Sequence, residues 1–180
     1  MIGLKRGTVR LEAHQALWEE SAAEVIAELR ETLGGAALDI QHVGSTAIRS
    51  ISAKPIVDIA AGVSDLSQVL LYVEELAKRQ IILRQEDIPG QLLFVKGDFQ
   101  QDIRSHHIHF VRRDDPAWQN YMDFRDYLNA CPEAAARYEK VKVVLARQFP
   151  VSRQEYTAGK QAIITELLHA ARQWRRETQA

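Results

Sequence analysis

Apolar residues fall at mixed three- and four-residue intervals between Ala13 and Leu33, through Ala16, Leu17, Ala23, Val25, Ile26 and Leu29. That spacing predicts an amphipathic helix, which Gly34-Gly35 stops. From Ala37 to Val43 the pattern alternates through Leu38 and Ile40, and a short strand is expected. Gly44 to Ser52 carries small and hydroxyl residues and reads as a turn into a short helix. Pro55 to Val63 is apolar and β-branched apart from Asp58, the composition of a strand buried on both faces. A second helix is predicted over Asp65 to Gln80, capped by Ser64 or Asp65, with Leu66, Val69, Leu70, Val73, Leu76 and Ala77 inward.

Three strand-like pieces follow, Ile81 to Arg84, Leu92 to Lys96 and His106 to Arg112. Pro89-Gly90 and Gly97-Asp98 supply turn chemistry between them, so antiparallel pairing is expected. Beyond Asp115 the pattern is helical over Pro116 to Ala130, Pro132 to Gln148 and Ser152 to Arg176. Pro116 and Pro132 suit first helical turns, with Asp115 and Cys131 at the capping positions. Helices between strands, then strands, then helices imply an α+β layer structure around a mixed sheet. At 180 residues the chain suits one domain, with about 1–112 holding the sheet and about 115–178 the C-terminal helices.

Composition narrows the function classes. The formal net charge is −1, so nothing global attracts nucleic acid or anionic lipid, and a phosphate must be held by a local cluster. Arg172, Arg175 and Arg176 form the most basic stretch and read as a solvated helix face. No basic stripe is interleaved with aromatics, and Trp18, Trp118 and Trp174 all fall on predicted helices as packing residues. Cys131 is the single cysteine, which excludes an internal disulfide. No apolar run reaches membrane-spanning length and none follows Met1 to Gly7 as a signal peptide would require, so a cytoplasmic protein without a membrane partner is expected.

Two stretches carry chemistry. In His42-Val43-Gly44-Ser45-Thr46 a Gly-Ser-Thr turn between strand and helix offers backbone N–H groups and two hydroxyls, a combination that holds phosphate. Downstream, Lys54 precedes a strand whose one carboxylate, Asp58, needs a partner or a metal. The bland alternative is a capping turn with Asp58 paired to Lys54. In His106-His107-Ile108-His109-Phe110, strand geometry puts His107 and His109 on one face, able to ligate a metal, grip phosphate or exchange protons. Two structural histidines would show the same spacing, and His106 points away.

The run QHVGSTAIRSISAKPIVDI from Gln41 to Ile59 resembles the hallmark of the GrpB-like proteins. The likeness continues through RSHHIHFV, AWQNYMDFRDYLNACPEAAARYEKVK and EYTAGKQAIITELL, in order and over nearly the whole chain. It implies a nucleotidyltransferase-like fold of the polymerase-β-like superfamily and a nucleotide or other phosphate-bearing small molecule as ligand. By the same resemblance Gly44 and Ser45 match the phosphate-holding turn and Asp58 the first metal-binding acid. His42, Thr46, Lys54, His107 and His109 would line the cleft, joined by Tyr156 and Lys160 at helical i, i+4 spacing. The implied metal is Mg²⁺ or Mn²⁺, with Asp58, His107 and His109 as its ligands and Zn²⁺ as a further option that imidazole favours.

Two positions depart from the pattern. Asp58-Ile59-Ala60 lacks the second acid that two-metal nucleotidyl transfer needs, and Arg49-Ser50 stands where relatives often carry Pro-Gly. The expectations are therefore metal-dependent nucleotidyl transfer or phosphate binding, a catalytically silent binding or regulatory module, or a His/Asp metal-dependent hydrolase.

Overall fold

The computed structural model describes residues 2–84 and 88–178. Its elements are β1 (Leu4–Lys5), α1 (Ala16–Leu33), β2 (Ala37–Val43), β3 (Val57–Val63), α2 (Leu66–Leu70), α3 (Val73–Lys78) and β4 (Ile81–Leu83). Then come β5 (Gln91–Lys96), β6 (Ile103–Arg104), β7 (His106–Arg112), α4 (Pro116–Ala130), α5 (Pro132–Gln148), α6 (Arg153–Gly159) and α7 (Gln161–Thr178). Five strands form one mixed sheet in the order β2-β3-β7-β5-β4. β3 and β7 are parallel, while β2 against β3, β7 against β5 and β5 against β4 are antiparallel. β1 and β6 pair as a separate ribbon.

The period-2 alternation of β3 and β7 gives the sheet two unlike faces. Val57, Ile59, Ala61 and Val63 join Ile108 and Phe110 against the apolar stripe Trp18, Ala22, Val25, Leu29 and Leu33 of α1. Phe94 meets Phe110 edge-on with ring centroids 5.1 Å apart, closing this core toward β5. On the opposite face Val43, Ala60 and Val111 pack under Trp118 of α4. Asp58, His107 and His109 share that second face, where α4 leaves room beside them. A third cluster, Ile48 and Ile51 with Leu128, Tyr138 and Leu167, fastens the segment after β2 to the C-terminal helices.

Capping follows the chemistry of the sequence. Asp65 accepts from the backbone N–H of Ser67 and Asp115 from that of Ala117, each satisfying an orphan donor of a first turn. Three boundaries differ from expectation. The helix predicted over Asp65 to Gln80 is two short ones, with three-residue turn bonds at Leu71 and Tyr72, because exposed Leu70 and Leu71 bury nothing that would hold the ladder across them. Gly44 to Ser52 contributes only a 3₁₀ turn over Ser45–Ala47 before the chain extends. The last predicted helix breaks after Gly159, which packs so closely on α5 that a Cβ there would sit 2.5 Å from a Leu145 methyl. The basic C-terminal stretch is also less free than a solvated face: Arg175 pairs at 3.2 Å with the buried Asp123, and Arg172 bonds to Asn120.

No helix among the described residues is long and apolar enough to cross a membrane. Because Phe110 is fully enclosed between α1 and the sheet, Phe110→Ala is expected to lower the unfolding free energy by about 3–5 kcal/mol. Leu71, 82% exposed, serves as the contrast, and Leu71→Ala should stay within about 0.5 kcal/mol. Urea denaturation followed by circular dichroism reads both.

Candidate functional site

Parallel pairing of β3 with β7 sets Asp58 directly beside His107 and Ala60 beside His109. His107 Nδ1 lies 3.0 Å from Asp58 Oδ1. On the far side of the ring, Arg153 Nη2 lies 2.9 Å from His107 Nε2. A guanidinium can only donate, so Nε2 is the acceptor and the single ring proton sits on Nδ1, where it is donated to the carboxylate. The chain Arg153, His107, Asp58 thereby fixes one tautomer of a neutral imidazole.

The electrostatics agree with this assignment. Burial lowers the His107 pKa and Arg153 lowers it further, outweighing the pull of Asp58 toward the charged form. Burial by itself would push the Asp58 carboxyl up, but the hydrogen bond from His107 and the nearby Lys54 ammonium hold it well below the usual range. The carboxylate side chain remains 30% exposed, and what it faces is a cleft. Gly44 closes the other side of Asp58. Its backbone has φ +70°, and a Cβ there would stand 2.4 Å from Asp58 Oδ2, so only glycine allows this approach.

The cleft has two compartments that share Ser45, Asp58 and Lys160. The smaller, about 200 Å³, is walled by Lys54, Arg153 and Lys160 together with His107, His109 and Tyr156. Lys54 Nζ and Lys160 Nζ stand 5.0 and 4.7 Å from the centroid of the buried Tyr156 ring. Among the described residues neither ammonium has a carboxylate within ion-pairing distance. Burial, reinforced by Arg153 and Lys160, pulls Lys54 down to about 7. The larger compartment, about 500 Å³, is lined by Tyr121, Phe124, Tyr138, Ile164 and Leu168 with the amides of Gln91 and Gln161 at its edge. Tyr138 ties the two together, its hydroxyl 3.3 Å from Ser45 Oγ.

The sequence-predicted residues divide accordingly. Gly44, Ser45, Lys54, Asp58, His107, His109, Tyr156 and Lys160 converge on this cleft. His42 and Thr46 do not. β2 pairing sets His42 opposite Ile59, whose side chain points to the α1 face, and His42 lines a separate depression with Glu19, Arg49 and Arg125. Thr46 is buried and bonds to His42 Nε2 at 2.9 Å, so its hydroxyl braces the turn and does not face ligand.

The expected metal set of Asp58, His107 and His109 is not assembled either. Among the described residues no three His, Cys, Asp or Glu side chains gather as metal ligands. Both nitrogens of His107 are engaged, the two imidazole centroids are 6.4 Å apart, and the His109 ring lies against Tyr121 with its buried Nδ1 unpartnered. One carboxylate among three cationic side chains is a poor cradle for Mg²⁺, Mn²⁺ or Zn²⁺, because like charges line the space that the ion would occupy. Arg153 and the aromatic wall are absent from the residues that sequence reasoning singles out. The signal that could have found the arginine is the placement of Arg153, Tyr156 and Lys160 at i, i+3 and i+7, one face of a helix.

The model of the family described as GrpB protein matches residues 8–170. The chain is 34% identical over 172 residues to the glutamate-rich protein GrpB of Alkalihalophilus pseudofirmus, covering 94% of this chain and 99% of that one. The crystal structure of the conserved protein GrpB from Enterococcus faecalis matches it with a TM-score of 0.79 at 28% identity, over 89% of this chain and 98% of that one. A cytoplasmic RNA terminal U-transferase matches with a TM-score of 0.51 at 13% identity, over 76% of this chain and 41% of that one, a likeness of fold alone. The α+β, nucleotidyltransferase-like architecture expected from the sequence is the one observed.

The neutral histidines make stability sensitive to acid. Burial lowers His42, His106 and His109 from 6.5 to about 4 in the folded chain. As pH falls below 6.5 the unfolded chain takes up protons first, so stability drains between 6.5 and about 4. Asp58, depressed when folded, adds a loss that begins only below about 4. Urea midpoints should therefore decline from pH 7 to pH 4.5, less steeply in His106→Gln. A level midpoint over that range contradicts the assignment.

Proposed function

The chain belongs to the GrpB family, and from that premise we propose that its cleft binds a phosphate-bearing small molecule, a nucleotide foremost, with the phosphate among Lys54, Arg153 and Lys160. The observation that carries this reading is a surplus of basic side chains over acids in a half-buried space. Three cationic side chains face one carboxylate, and two of them rest on the face of Tyr156. Half-buried amines without a counter-charge are pushed toward their neutral form, and an anionic guest would restore their charge and pair with it. Ser45 and Lys160 stand at the boundary of both compartments, so a phosphate there would place an attached ring in the aromatic and aliphatic pocket of Tyr121, Phe124, Tyr138, Ile164 and Leu168.

Binding, and not two-metal nucleotidyl transfer, is the reading we adopt for this cleft. Transfer of that kind uses a pair of carboxylates to hold the ions that align nucleophile and leaving group, and among the described residues Asp58 is the single acid in either compartment. Here the lysines and arginine take over the task of neutralising phosphate, which removes the need for a divalent ion in binding.

Calorimetry with ATP and with inorganic phosphate, both in the presence of EDTA, tests the proposal. Each is expected to bind, and Lys160→Met should weaken binding about tenfold, the worth of one hydrogen bond to a charged group. At pH 8 binding should take up a proton, because Lys54 at about 7 is largely neutral until an anion arrives. Comparing buffers of different ionisation enthalpy measures that uptake, and Lys54→Met should abolish it. No heat with either compound, with or without Mg²⁺, ends the proposal.

A further inference from the structure

The imidazole of His107 and the guanidinium of Arg153 form a partition, with the cationic compartment on one side and a second, smaller space on the other. Around that space stand Arg6, Arg84 and Arg104. The β1–β6 ribbon brings two of them together: Leu4 pairs with Arg104, and Arg6 lies just beyond the end of β1. Arg104 is the unusual member. Its side chain is only 7% exposed, its Nη1 is buried with no hydrogen-bond partner among the described residues, and its other Nη pairs loosely with Asp102 at 3.8 Å. The ring of Phe99 covers one side, with the guanidinium carbon 5.1 Å from its centroid.

We propose that Arg104, with Arg6 and Arg153, forms a second anion subsite that takes a further phosphate of the ligand bound in the cleft. A guanidinium with a buried, unbonded N–H beside the like charges of Arg6 and Arg153 is costly, and an anion that completes it relieves the cost. Guanidinium groups match phosphate oxygens in pairs, and several converging on one point select for charge density over shape. The space as it stands, about 20 Å³, admits one water-sized body. Arg6 is exposed and forms the movable wall, so a phosphate enters by displacing its side chain while Arg104 stays fixed. Because Arg153 and His107 border both spaces, the two subsites are adjacent, and a linear chain of phosphates reaches from one to the other once the Arg153 side chain swings off His107. This inference rests on the phosphate-binding reading of the cleft and narrows its ligand to molecules carrying two or more linked phosphates.

Calorimetry in EDTA with inorganic phosphate and with tripolyphosphate tests it on the full chain. The wild-type protein is expected to bind tripolyphosphate at least about tenfold more tightly than phosphate. Arg104→Met and Arg6→Met should each erase most of that advantage while leaving phosphate affinity within about twofold. Arg30→Met removes the same charge from a depression away from the cleft and should leave the preference intact. Arg104 is buried, so Arg6→Met, altering an exposed side chain, decides the matter if the first variant fails to fold. Equal weakening of both ligands by Arg6→Met, or a wild-type protein that does not distinguish them, overturns the second subsite and leaves the first standing. Failure of phosphate itself to bind the wild-type protein overturns the cleft reading, and this inference with it.

Discussion

A carboxylate on one strand and an imidazole on the parallel neighbour, held 3.0 Å apart, organise everything around them. Asp58 is an ionised group in a strand that is otherwise buried, and its position is tolerable only because His107 donates to it from the adjacent register position. That donation leaves His107 with one acceptor nitrogen, and Arg153 satisfies it. Removing any of the three would strand a polar group of the next, so the arrangement behaves as a unit. Gly44 follows from the same constraint, since any Cβ at that turn would occupy the carboxylate's place.

Charge balance then separates two chemistries that one sequence pattern leaves open. A glycine-serine turn followed by a strand acid is compatible with a metal-holding cleft or with an anion-holding one. What favours the anion-holding proposal is the company the acid keeps. Lys54 reaches the cleft from the segment before β3, Lys160 from the break between α6 and α7, and Arg153 from the first turn of α6. Each is closer kin to a phosphate ligand than to a metal cradle, and together they outnumber the acid.

The sheet is legible in the sequence because the alternation of β2, the apolar β-branched run of β3 and the turn chemistry between β4, β5 and β7 are local properties. The same alternation correctly puts His107 and His109 on one face. Helix continuity is less legible, since two helices in phase show the same apolar spacing as one, and the break at Gly159 depends on how near Leu145 lies. Which sheet face a strand residue serves is also not local. His42 stands one residue before Val43, and that single step sends its ring to the α1 side, away from the cleft. Arg153 is separated from His107 by 46 positions, and nothing nearer in the chain announces their contact.

The parallel pairing of β3 and β7 has a consequence for how the protein comes to be assembled. Parallel neighbours cannot be joined by a tight hairpin, and here Asp58 and His107 are 49 residues apart, with α2, α3, β4, β5 and β6 lying between them. Closing so long a loop costs chain entropy that only the finished sheet repays, and a topology rich in such distant pairings folds more slowly than one built from local contacts. The cleft is thus a property of the completed molecule, since the walls that meet at Asp58 and His107 come from segments that only the finished sheet brings side by side.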